Sequence, residues 1–222
     1  MKSTFLLLLI AISLYSISSR PTVSIWQGWV KRESGKDGYR QVLGDRGNAM
    51  GKYQFDRRYG LVPFMQFCKK YNETRYSGFD KFIAMGPGSE ELKGNQELSD
   101  LWINYCDLYP EEFEALQDIC GYNDYYVPVK QYLLKLYQID LEKHSPAVKG
   151  SAFSMSIRSG PLSAANKFKG LTDDTDDLTI LEKTYATYGN ADAARWKRSR
   201  QLGDAILALY SGESSEVPTS ME

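Results

Sequence analysis

Glu33-Ser34-Gly35, followed after a polar run by Gly44-Asp45-Arg46-Gly47-Asn48-Ala49-Met50-Gly51-Lys52-Tyr53-Gln54-Phe55, is the stretch around which the chain is organised. Its first piece closes a short helix expected from Pro21 to Glu33. Ile25, Trp29 and Glu33 are spaced four apart and share one helical face, and Pro21 suits a first turn. A carboxylate at a helix C-terminus faces the negative pole of the helix dipole. Beside Trp29 it is also partly desolvated, and both effects raise its pKa, as a general acid working near neutral pH requires. The alternative is an ordinary surface Glu, which Lys31 and Arg32 would push the other way. Residues 34–51 hold five glycines and little apolar periodicity, so they are expected to form loops or an irregular hairpin. Asp45 opens the second piece. Two acids on either side of an open, glycine-lined groove are what glycosidic-bond cleavage needs.

Outward from this stretch the chain turns helical. Apolar spacing predicts helices over Pro63–Tyr71, Gly78–Met85, Asn95–Leu108, Glu111–Ile119 (opened by Pro110), Val127–Glu142, Ala147–Arg158 (opened by Pro146), Leu162–Phe168, Leu178–Tyr188 and Ala191–Tyr210. Ser159-Gly160-Pro161 is a break. The run Asp173-Asp174-Thr175-Asp176-Asp177 lacks the spacing and terminal Glu of a calcium loop. It reads as a solvated turn whose last Asp caps the next helix. The Ser-, Glu- and Pro-containing tail, residues 212–222, is expected to be disordered. The fold class is mainly α (α+β), one domain over residues 20–211, with a helical body and a small β or irregular lobe near the N-terminus.

The formal net charge is −1, which gives no support to nucleic-acid binding. Lys2 followed by the apolar run Phe5–Leu14 and small serines reads as a secretory signal peptide over residues 1–19. The mature protein is therefore expected to be a monomer exported outside the cell, or into a secretory or digestive lumen, with no membrane span. The three cysteines, Cys68, Cys106 and Cys120, leave one over if Cys106 pairs with Cys120. None has the surroundings of an activated nucleophile. His144, the single histidine, is read as a surface residue. With no Cys/His cluster at ligand spacing, no metal and no cofactor are expected. Asn72-Glu73-Thr74 is a glycosylation sequon.

The order Glu33-Ser34, polar loop, Ala49-Met50-Gly51-Lys52-Tyr53-Gln54 resembles the lysozyme-like superfamily. Goose-type lysozymes and lytic transglycosylases share it, and the lysozyme-like domains of bacterial and phage cell-wall lysins are more similar still. Those domains carry Gly-Asp-x-Gly-Gly-x-Ser-Tyr-Gly-x-Tyr-Gln after the Glu. Residues 44–54 depart from that pattern at Asn48, Ala49 and Met50. A later lysin segment, Ser-x-Ala-x-Gln-x-Gly-Pro, is similar to Ser154–Pro161, with Arg158 in the place of Gln. The Gly-Asp-x-Gly turn also resembles the one holding the second carboxylate of chitosanases. The two blocks cover about a fifth of the mature chain.

The resemblance implies a lysozyme-like fold whose small lobe forms one side of a cleft, and cleavage of peptidoglycan or a related aminosugar polymer. Glu33 would be the general acid. Asp45 would be base or electrostatic stabiliser, or alternatively a turn-capping Asp. Gly51, Tyr53, Gln54 and Arg158 would meet substrate, Tyr53 by stacking and Gln54 through its amide, unless the last two only pack. Arg46, Lys52, Arg57 and Arg58 favour an anionic polymer over chitosan. A lytic transglycosylase, a chitosanase-like enzyme and a secreted glycan-binding protein without activity are the alternatives.

Overall fold

The computed structural model describes residues 22–28, 34, 38–187 and 192–220. The expected signal segment, Trp29 and Glu33 lie outside the described residues. The chain is mostly helical, with a few short strands.

The N-terminal segment departs from expectation. Thr22–Ile25 is a strand, β1, not the start of a helix. Thr22, Val23 and Ile25 are β-branched, and such residues favour a pleated, half-buried backbone. Its partner is the tail that was expected to be disordered. Ser215–Pro218 forms a strand, here β4, paired antiparallel with β1 in the register Thr22↔Pro218 to Ile25↔Ser215. Val217 is buried, and Ser215 Oγ donates to the Ile25 carbonyl at 2.7 Å. A two-stranded ribbon is marginal alone. This one lies against the helices α4 and α6 defined below.

A second antiparallel ribbon pairs β2 (Ala49–Met50) with β3 (Phe55–Asp56). The helices follow: α1 (Leu61–Tyr71), α2 (Asp80–Met85), α3 (Gln96–Leu108) and α4 (Pro110–Gly121). A π-helical turn, Tyr122–Tyr126, links α4 to α5 (Val127–Tyr137). Then come α6 (Pro146–Ser159), α7 (Pro161–Asn166), α8 (Asp177–Ala186) and α9 (Asp192–Ser211). Pro110, Pro146 and Pro161 each open a helix, where the missing N–H costs nothing. Asn95 caps α3, its side chain accepting from Leu98 N at 2.9 Å. α5 stops short of the expected Glu142 because Gln138 turns left-handed at φ 57°.

The core has two centres. Phe55, Phe64, Tyr76, Phe79, Trp102, Tyr105 and Phe113 form an aromatic cluster, with Phe55 stacked on Phe64 at 4.5 Å and Trp102 edge-on to Phe113 at 4.9 Å. Phe55 fixes β3, and with it the second ribbon, to the helical body. The other centre is α6, buried along most of its length from Ala147 to Ser156. Its small residues admit close neighbours: a Cβ on Gly150 would lie 1.9 Å from the Trp26 carbonyl oxygen.

Three further expectations are corrected. His144 is not a surface residue. It is buried, with Nδ1 2.7 Å from Asp177 Oδ1, while Asp177 Oδ2 accepts from Ser145 N at 2.8 Å. Asp177 is thereby drawn across to the start of α6, so the last Asp of the acidic run does not cap α8 as expected; Asp176 does, accepting from Thr179 N at 2.9 Å. Cys106 and Cys120 do not pair; all three thiols are free and buried. Burial raises the pKa of each, Cys106 to about 12, so none is an activated nucleophile at neutral pH.

Candidate active site

Gly44–Gly47 forms one tight turn of inverted hand: φ is 44° at Asp45, 58° at Arg46 and 87° at Gly47. Left-handed backbone costs an L-residue about 1–2 kcal/mol, so something must hold it. Asn48 does. Its Nδ2 donates to the Asp45 carbonyl at 2.9 Å and its Oδ1 accepts from Arg57 Nε at 2.8 Å. Arg57 is buried, and donates from Nη1 to the carbonyls of Gly88 and Ser89 and from Nη2 to Glu90. Gly94 N adds a bond to the Gly47 carbonyl at 2.9 Å. The asparagine that departs from the lysin pattern is thus the clasp of the turn, and the Asp45 side chain is left 61% exposed.

The ribbon's loop, Gly51–Gln54, sorts its side chains to opposite sides. Gly51, at φ 74°, sits over Gln117 and Trp102, where a Cβ would lie 2.6 Å from Gln117 Oε1 and 2.7 Å from Trp102 Cζ2. Strain and overlap together predict that Gly51→Ala destabilises the fold by about 3 kcal/mol, a fall of roughly 10 °C in melting temperature by calorimetry. A shift under about 2 °C would show that the backbone yields there.

Tyr53 is wholly buried and cannot stack on a ligand, which corrects the expectation. Its ring packs on Phe153 at 5.6 Å and sits against Gly121, where a Cβ would fall 2.7 Å from Tyr53 Cγ. Its hydroxyl donates to Asp118 at 2.6 Å. Gly51, likewise buried, faces the core rather than a ligand. Gln54 goes the other way, at φ 53°, its amide donating to Gln41 Oε1 at 2.6 Å and to the Gly51 carbonyl at 3.2 Å.

Asp45 and Gln54 open onto a cleft of about 790 Å³. One wall is the turn and ribbon: Asp45, Ala49, Gln54, Asp56, Arg58 and Tyr59. The facing wall is Ser154, Ile157, Arg158, Ser159, Gly160 and Pro161, where α6 breaks into α7, with Tyr125 from the π-helical turn between them. The two motif blocks, about a hundred residues apart in the chain, therefore meet across one cleft. No family model, curated protein or solved structure matches the chain.

The cleft holds two described carboxylates in different states. Asp56 accepts from Arg58 N and Nε, each at 2.8 Å, and from Arg58 Nη2 at 2.5 Å. The Arg58 side chain holds the Asp56 carboxyl below its ordinary range. Asp56 is committed to that fork, whereas Asp45 has Arg58 Nη2 only at 3.6 Å. Asp45 is the carboxylate left available to a ligand.

Most of the cations expected to draw an anionic polymer have partners of their own, which corrects that expectation. Lys52 bonds Glu114 and Asp118, Arg57 pairs with Glu90 and Arg58 with Asp56. Three of the four cations read as attracting an anionic polymer are neutralised within the protein. Sequence reasoning passed over Tyr59 and Tyr125 as cleft residues. Tyr125 gave no signal, because a π-helical turn breaks the period by which helix faces are read.

Among the described residues no helix is long and apolar enough to cross a membrane.

Proposed function

We propose that the chain is a secreted glycosidase of lysozyme-like fold that cleaves the glycan strands of bacterial peptidoglycan. The observation that carries this is the meeting of the two motif blocks across one cleft, with Asp45 exposed on one wall and Arg158 on the other. Glu33 is the general acid and gives its proton to the glycosidic oxygen as the bond to the anomeric carbon breaks. Asp45 takes a proton from the water that bonds to that carbon, or stabilises the positive charge developing there. In the transglycosylase alternative the sugar's own 6-hydroxyl closes onto the anomeric carbon, Glu33 serves alone and no water is added. With three cations internally paired, charge ranks peptidoglycan and chitosan less sharply than sequence suggested, so both belong in the test.

The mature protein is incubated with purified peptidoglycan and, separately, with chitosan, and products are weighed by mass spectrometry. Release of muropeptides with reducing ends is the expected result. Anhydro ends would assign the transglycosylase route, and release from chitosan alone would move the substrate. A folded protein that releases nothing from either polymer sinks the enzyme reading.

A further inference from the structure

Tyr59, a lining residue of the cleft, is 75% exposed and so presents ring surface to a ligand. Among the described residues no aromatic ring packs on it. The Arg58 guanidinium lies 5.7 Å from its centroid, and Arg58 is itself fixed by its fork on Asp56. Tyr59 also sits in a hydrogen-bonded turn, with Tyr59 N and Gly60 N both donating to the Asp56 carbonyl, at 3.0 and 2.8 Å. The backbone that carries the ring is thus held in place, so less of it has to be ordered on binding. Beyond it the cleft continues along Tyr125, Ile157 and Pro161, while Asp45, Asp56 and Arg58 supply polar groups.

We propose that Tyr59 is a sugar-stacking platform at the open side of this cleft, taking a pyranose ring of an aminosugar polymer, with Arg58 as the residue that positions it. The inference rests on the glycosidase reading and deepens it by naming a binding residue. A pyranose presents a flat C–H face and a rim of hydroxyls. It therefore needs an exposed aromatic face with planar polar groups beside it, and Tyr59 with the Asp56–Arg58 fork is such a pair. The volume, about 790 Å³, leaves room for more than one ring and so accommodates an oligosaccharide. Through Arg58 Nη2, 3.6 Å from Asp45, the platform is linked to the available carboxylate, and a ring seated on Tyr59 lies on the same wall as Asp45.

The test is calorimetric titration with a chitin tetrasaccharide, a neutral probe that removes any ion-pair contribution. It is run on the mature protein carrying Glu33→Gln, so that the probe is not consumed. Adding Tyr59→Ala is expected to weaken binding about tenfold, and adding Tyr59→Trp to stay within about threefold of the parent. Because Tyr59 is exposed, melting temperatures of the three should agree, which separates lost contact from lost fold. On peptidoglycan, Tyr59→Ala alone should raise KM more than it lowers kcat. Equal affinities for the parent and Tyr59→Ala overturn the platform and leave the glycosidase reading standing. A wild-type protein that cleaves peptidoglycan while its Glu33→Gln form shows no saturable binding also overturns the platform. A protein that neither binds nor cleaves brings down both.

Discussion

Glu33→Gln is expected to lower the rate of muropeptide release about a hundred- to ten-thousand-fold, the range a general acid contributes. That is about 2.7–5.5 kcal/mol of transition-state stabilisation. Glutamine keeps the shape and the hydrogen-bonding ends and removes only the proton that must reach the leaving oxygen. Folding should therefore be unaffected, and the loss should fall on kcat rather than KM. A variant retaining more than about a tenth of wild-type kcat would exclude Glu33 as the acid. Asp45→Asn then divides the two chemistries. If Asp45 activates water, its loss costs about a hundredfold or more, again in kcat. If Glu33 works alone through the 6-hydroxyl, Asp45→Asn stays within about tenfold and the products carry anhydro ends. Asp45 suits such a test, since its side chain is 61% exposed and the turn is held by Asn48 and Arg57, not by the Asp45 carboxylate.

Local chemistry was legible in the sequence, and distant pairing was not. Pro110 and Pro146 mark helix starts because a proline ring pre-sets the first turn, and both helices begin there. β1 and β4 were missed because they pair with each other from opposite ends of the chain, and nothing local in Thr22–Ile25 names that partner. At the site, the glycine-rich turn and Ser154–Pro161 could be singled out as motifs, and both line the cleft. Which side chains of the ribbon loop face it could not. Tyr53 is drawn inward by Gly121, Asp118 and Phe153, all remote in sequence. Asn48 looked like a departure from a pattern; its role depends on Arg57, which in turn depends on the 88–90 loop. The cations misled for the same reason, since the partners of Lys52 lie more than sixty residues away on α4.

Lys52→Met is expected to destabilise the protein by about 2–3 kcal/mol near neutral pH, with a loss that shrinks in acid. Lys52 Nζ lies 2.8 Å from Asp118 and 3.0 Å from Glu114, and the Lys52 and Asp118 side chains are only 14% and 13% exposed. Burial alone would lower the Lys52 pKa, but the two carboxylates more than offset it and the net shift is upward. Burial pushes the Asp118 carboxyl above its ordinary range, although Lys52 and the Tyr53 hydroxyl pull it back in part. Methionine fills the lysine's volume and leaves Asp118 as a buried charge held mainly by Tyr53. The expected cost is below the roughly 3–5 kcal/mol for a wholly buried pair, because Glu114 can turn to solvent. In the variant the folded pKa of Asp118 rises further above its unfolded value. Its contribution to stability is then fully present below the unfolded pKa and lost as pH rises through the folded one. The gap in melting temperature between wild type and Lys52→Met should accordingly be wide near pH 7 and narrower near pH 4. Lys52→Met with Asp118→Asn should recover most of the loss, which a double-mutant cycle measures as coupling. A gap independent of pH would mean that packing, not charge, is what Lys52 contributes. The site is expected to feel the same change, because Lys52 N also donates to Gln117 Oε1 at 2.8 Å and the Lys52–Asp118–Tyr53 group ties the ribbon loop to α4. Loosening it frees Gln54 and the wall that carries Asp45, so the variant should lose activity at temperatures well below its own unfolding transition.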